Sequence, residues 1–160
     1  MRRKDRELND REALRSLLER GQVCHLALAD GDAPYVVPMN YGFLMQEDGA
    51  LALYFHSARA GKKLELLREH PHAGFAVSLS GALITGDRAC DWSMTYASIL
   101  GKGILTEVAD EEERERGVTL LMRHHGRTED FTYDPRVMAR TVILKLAVSS
   151  YTGKSNEPKA

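Results

Sequence analysis

The chain has 160 residues, 43% of them hydrophobic and 28% charged, with a formal net charge of −1. That length and balance suit one soluble domain with a substantial core, and exclude a global positive field that would gather nucleic acid. No apolar run approaches the roughly 20 residues that cross a bilayer, and Met1-Arg2-Arg3-Lys4-Asp5-Arg6-Glu7 has no apolar segment behind it, so neither a membrane partner nor a secretory signal is expected and the chain reads as cytoplasmic.

In chain order, Asn9 or Asp10 caps a first helix of about 9–20, with Ala13, Leu14, Leu17 and Leu18 at helical spacing and Gly21 as its stop. Gln22–Ala29 follows as a strand, Asp30-Gly31-Asp32 as a turn, and Ala33–Phe43 as the return strand. Pro34 and Pro38 remove ladder donors, which places that strand at an edge or a bulge. Glu47-Asp48-Gly49 turns the chain into Ala50–His56, where Leu51, Leu53 and Phe55 point one way and Ala52, Tyr54 and His56 the other. A helix over Gly61–Glu69 and a strand over Ala73–Leu79 come next, and Ser80–Trp92 reads as loop with a short strand. Tyr96–Val108 is a long strand with apolar residues on both faces, a pattern that implies burial on both sides. Asp110–His125 is a helix anchored by Val118, Leu121 and Met122, and Gly126–Pro135 is a loop. In Thr141–Ser150, Val142, Leu144, Leu146 and Val148 share a face, and a tail starts at about 151. About six strands joined by hairpin-length turns favour a mainly β fold, an antiparallel barrel with flanking helices, in a single domain over 1–160.

The stretch Tyr54-Phe55-His56-Ser57-Ala58-Arg59-Ala60-Gly61-Lys62-Lys63 concentrates the chemistry. A strand gives way to a polar corner and then to a helix start. Open backbone N–H groups and nearby cations there suit an anion such as a phosphate, the other reading being a solvated basic turn. His56 at that junction either donates to a phosphate or flavin or serves the structure. Pro34-Tyr35-Val36-Val37-Pro38-Met39-Asn40-Tyr41-Gly42 is a broken strand whose unused main-chain groups, with the Asn40 amide and the Tyr41 face, suit a planar heteroaromatic ring, the equally open reading being a bulged strand with ordinary packing. Trp92, the sole tryptophan, covers a ligand or seals a subunit contact. Gly101 and Gly103 mark a bend or a close approach of another backbone.

Other chemistries lack their motifs. No Gly-x-Gly-x-x-Gly follows a strand, and there is no Gly-x-Ser-x-Gly elbow and no His-Glu-x-x-His. His124 and His125 diverge by about 100° on a helix, so no metal site is expected there. Cys24 and Cys90 read as free thiols in a reducing compartment.

The order of these pieces resembles the pyridoxamine-phosphate-oxidase-like FMN-binding split barrels, in the branch of the 5-nitroimidazole-resistance proteins. The matching residues are the basic opening Met1–Arg6, Pro34–Gly42, Leu53–Ala58 with Gly61-Lys62-Lys63, Ala89-Cys90-Asp91, Tyr96–Gly103 and Thr152-Gly153-Lys154. The resemblance implies a six-stranded split barrel acting as a homodimer, with FMN at the subunit interface. It implies that Val37, Pro38, Met39, Asn40 and Tyr41 run along the flavin ring, and that Tyr54, Phe55, His56 and Ser57 stand beside it and its phosphate tail. Lys62 and Lys63 match the basic pair that holds the phosphate. Trp92 and Ser98 approach from the interface, and Thr152 and Lys154 reach the partner's site. His56 is the implied redox residue. The implied activity is reduction of a small organic acceptor such as a nitro-aromatic. The alternative is a non-catalytic protein that holds flavin or haem.

Overall fold

The computed structural model describes residues 3–156, so Met1 and Arg2 of the basic opening lie outside the described residues. Its strands are β1 (Glu7–Leu8), β2 (Cys24–Asp30), β3 (Ala33–Met39), β4 (Gly42–Met45), β5 (Leu51–Ala58), β6 (His72–Ile84), β7 (Ser93–Glu107) and β8 (Thr141–Ser155). Its helices are α1 (Arg11–Arg20), α2 (Lys62–Glu69), α3 (Glu111–His124) and the short α4 (Pro135–Met138). All pairings are antiparallel, in the order β3-β2-β6-β7-β8-β5-β4, with β1 added against β8. Among the described residues no helix is long and apolar enough to cross a membrane.

Strand alternation decides the interior. Cys24, Leu26 and Leu28 of β2, Leu51, Leu53 and Phe55 of β5, and Phe75, Val77, Ile99, Leu105, Leu144 and Leu146 meet in one buried cluster. Leu14, Leu17 and Leu18 of α1 and Leu64, Leu66 and Leu67 of α2 join that cluster. Each apolar side chain fully buried this way contributes about 1.5–3 kcal/mol. Asp10, rather than Asn9, caps α1, its carboxylate accepting the Ala13 N–H at 2.8 Å. Gly21 ends α1 with ordinary backbone angles (φ −71°), so its lack of a Cβ answers crowding instead: a Cβ there would lie 2.8 Å from the Tyr41 hydroxyl.

α3 lies outside the barrel on β4, β5 and β8, over a smaller cluster of Tyr54, Val108 and Ile143. Two glycines let it approach. A Cβ on Gly42 would sit 2.5 Å from the Leu120 carbonyl carbon, and one on Gly117 would sit 2.8 Å from Ile143 Cγ2. α3 ends in a Schellman turn: Gly126 (φ +95°) donates to the Arg123 carbonyl and Arg127 to the Met122 carbonyl.

Six sequence expectations change. Ala33–Phe43 is two strands, because the chain dives into the core at Tyr41; β3 is nevertheless an edge strand, as its prolines require. Ser80–Trp92 is mostly structured, because β6 runs to Ile84 and pairs with β7 past a register shift at Ser80/Leu83. The segment after the Gly126–Pro135 loop forms α4, with Pro135 at its first turn and Asp134 as its cap. The tail from 151 is the end of β8, held by β7 and β1, and the described residues form eight strands rather than six. Finally, β7 is buried on one face only within a single chain: Leu100 and Ile104 on its outer face are 52% and 37% exposed.

Candidate functional site

The polar corner is built where β5 ends. His56 pairs with Ile143 and faces outward, exposed, while Ser57 turns inward and donates from Oγ to the Ala58 carbonyl at 3.0 Å. Arg59, Ala60 and Gly61 (φ +130°) then lead into α2. Asp10, Asp110 and Asp134 cap the other three helices with side-chain carboxylates. α2 has no such cap, so the first-turn amides of Lys62 and Lys63 face outward without a side-chain acceptor. Lys62 is ion-paired with Asp30 and lies 5.6 Å from the Tyr35 ring centroid. Its hydrogen bond to the Asp30 carboxylate raises its pKa. Lys63 is half-buried, has no partner among the described residues, and is held below the usual lysine range by burial. Arg59 is exposed and also lacks a partner among the described residues. Open amides, a partnerless half-buried ammonium and a partnerless guanidinium fit a phosphate dianion better than they fit each other.

The ring-facing strand is less accommodating. Val37 and Met39 point inward, half-buried; Pro38 points outward, exposed. Asn40 donates its side-chain amide to the Gln22 carbonyl at 2.9 Å, so that group already fastens the β3–β4 link. Tyr41 is a correction. It is fully buried, donates its hydroxyl to the Leu18 carbonyl at 2.7 Å, and stacks on His124 at 4.6 Å. It offers no face to a ligand. The same holds for the side chains of Phe55, inside the barrel, and Tyr54, which lies under α3 with its hydroxyl on Glu113 at 3.1 Å. At those three positions only main chain is left for a ligand.

Ser98, Thr152 and Lys154 form a second, separate group, and Trp92 lies six residues before Ser98, just ahead of β7. The Trp92 indole donates to the Gly86 carbonyl at 2.8 Å and leaves the residue 54% exposed. Ser98 stands opposite Ser78 and Lys154, and Thr152 opposite Leu100. Lys154 lies over the Tyr96 ring at 5.3 Å and, hydrogen-bonded to its hydroxyl, lowers that phenol's pKa with help from Arg6. His56 is opposite Ile143 on β8, and Thr152 is nine residues farther along that strand, about 30 Å at the usual rise. Within one chain His56 therefore stands against the start of β8, and Ser98, Thr152 and Lys154 lie near its end.

Next to His56 opens a cavity of about 480 Å³. Val118, Leu121 and Met122 of α3 form one wall, and Phe131, Val137 and Met138 form the other; Arg127 lines it too. Sequence reasoning missed this wall. Asp134-Pro135, a cap and a first-turn proline, signals α4, but nothing local says that α4 folds back toward His56. The adjacent histidines are structural: His124 bonds the Gly21 carbonyl at 2.7 Å and His125 the Gln22 side chain at 3.0 Å.

No curated protein sequence matches the chain. Among solved structures, a candidate 5-nitroimidazole antibiotic resistance protein from Bacteroides thetaiotaomicron is 28% identical, with a TM-score of 0.78 over 93% of this chain and 86% of that one. A FAD and heme binding protein from Mycobacterium smegmatis (24% identical, TM-score 0.81, 96% of this chain and 74% of that one) shares the fold. So does a FAD-binding protein from Mesorhizobium loti (22%, 0.67, 95% and 98%). The family model described as pyridoxamine 5'-phosphate oxidase matches residues 10–155, from the α1 cap to the end of β8, and the chain belongs to that family.

Proposed function

We propose that the protein is a cytoplasmic homodimer that binds FMN at its subunit interface and reduces a small organic acceptor, such as a nitro-aromatic. One observation carries the reading: the uncapped start of α2, with Lys63 half-buried and partnerless beside it. Leaving an ammonium partly desolvated without an anion is unfavourable, and a phosphate would reverse that. The Lys62 and Lys63 amides, the Lys63 ammonium and Arg59 would hold the phosphate, and Lys62 would join once released by Asp30. Main chain at Val37–Met39, on the edge strand, would lie along the ring. When bound, FMN supplies the electron transfer, and the chain supplies position and electrostatics. His56, exposed beside the cavity, would hold or pass a proton at a ring nitrogen to an acceptor there.

Separation of the two residue groups supports the dimer. Trp92, Ser98, Thr152 and Lys154 would meet the corner only from a partner subunit, and the bare Val36, Leu100 and Ile104 give that subunit an apolar face to cover. Free Cys24 and Cys90 suit a reducing compartment. The visible spectrum of the purified protein tests the cofactor: flavin absorption is expected, and its absence from a protein that also fails to take up added FMN would refute the reading. A haem carrier is the second reading, because an exposed histidine at an apolar cavity also suits an axial ligand; a Soret band would select it.

A further inference from the structure

We propose that the cavity between α3 and the 126–138 segment binds a small aromatic molecule bearing a carboxylate or an equivalent anion. Its volume, about 480 Å³, falls among ordinary small-molecule pockets and admits a one- or two-ring compound. Its walls are mostly apolar, with Met122 and Met138 as adaptable surfaces and Phe131 as a ring face.

The charge least committed in this cavity is positive. Besides the Tyr133 phenol, which is hydrogen-bonded with Thr119, three lining groups carry or acquire charge: His56, Arg127 and Asp134. Asp134 directs a carboxylate oxygen to the Arg136 amide at 2.8 Å as the α4 cap, so it is already engaged. Arg127 has only Glu129, at 3.9 Å and with a side chain 81% exposed, as an ionic neighbour. His56 has no partner among the described residues. Arg127 is also held in place by its backbone, since its N–H closes the Schellman turn on the Met122 carbonyl at 2.9 Å. A guanidinium lining an apolar cavity, its only carboxylate neighbour an exposed one at 3.9 Å, suits a bidentate anion attached to an apolar body. That the occupant is also the electron acceptor rests on the flavin reading above; its binding does not.

The test uses the full-length protein as purified, with flavin content recorded for every sample. The probes are 2-naphthoate and the near-isosteric neutral 2-naphthalenemethanol, followed by calorimetry and by the methyl resonances of Met122 and Met138. Naphthoate should bind saturably, shift both methyl resonances, and bind at least about tenfold more tightly than the alcohol. Arg127→Gln should erase that preference and leave the alcohol's affinity within about twofold. Val137→Trp should fill the space and abolish binding of both. Equal affinity for the two probes, unshifted methyl resonances, or an Arg127→Gln protein with its preference intact would overturn the proposal. Displacement of naphthoate by riboflavin would overturn it as well, since the cavity would then be the seat of a flavin ring. Failure of the flavin reading is seen separately, as a protein without flavin that still discriminates the two probes.

Discussion

Two regions of this molecule handle charge in opposite ways. Beneath α3, Glu113 accepts from Lys145 at 2.5 Å and from the Tyr54 hydroxyl at 3.1 Å, while Asp110 caps the helix through the Glu113 amide at 2.8 Å. The Lys145 hydrogen bond holds the Glu113 carboxyl below its ordinary range, and Glu113 in turn raises Lys145. At the start of α2 the helix is uncapped, Lys63 is lowered by burial, and Arg59 has no partner among the described residues. A satisfied network stabilises a fold. A half-buried cation with nothing to meet it weakens the fold, and so points to a ligand.

The contrast can be broken most severely at Gly42. Gly42→Ala would drive a methyl into the α3 backbone, so α3 must shift; a loss of about 2–4 kcal/mol in chemical denaturation is expected. Glu113→Ala strands the partly exposed Lys145 and should cost about 1–2 kcal/mol, with flavin affinity unchanged. Lys63→Ala should do the reverse: flavin affinity falls at least about tenfold, ~1.4 kcal/mol, while the apoprotein's melting temperature holds or rises slightly. If both variants lost stability and neither lost flavin, the two regions would be alike and the corner would be structural.

Titration sharpens the same contrast. Glu113 has a folded pKa below its ordinary 4.5, so its contribution is complete above that value and is lost as pH falls through the folded pKa. Lys145→Gln should therefore move the acid unfolding midpoint upward. Lys145 is raised, so its contribution is complete below the ordinary 10.5 and is lost as pH rises through the folded pKa. Lys63 has the opposite sign: its folded pKa lies below 10.5, so stability recovers as pH rises through that lower value. The smallest effect is expected from Asp30→Asn, which releases Lys62 from its exposed pair and should tighten FMN binding roughly twofold in a fluorescence titration.

Much of the architecture was readable from periodicity and punctuation. Asp10, Asp110 and the Asp30-Gly31-Asp32 turn act locally, and alternation in β5 and β8 assigned the interior residues correctly. The corner at Lys62-Lys63 was readable for the same reason: a strand end and a helix start are adjacent in sequence. Tyr41 was misjudged because an aromatic beside a proline-broken strand reads the same whether it faces a ligand or the core; only its bond to Leu18, from another element, decides. The extension of β8 past Ser150 was hidden because Tyr151-Thr152-Gly153-Lys154 lacks an apolar alternation of its own and is held by β7 and β1.

By itself the sequence determined the antiparallel β-rich class, the barrel interior, the helix caps and the cationic corner, because hydrophobic period, caps and turns are properties of neighbours along the chain. The tertiary structure alone decided which tyrosines are spent in the core, that Asp30 meets Lys62, and that Arg127 and α4 close a cavity beside His56. It also put His56 against the start of β8 and Thr152 near its end. These depend on how distant strands register and how α3 settles on two glycines, and close packing couples those choices across the whole molecule.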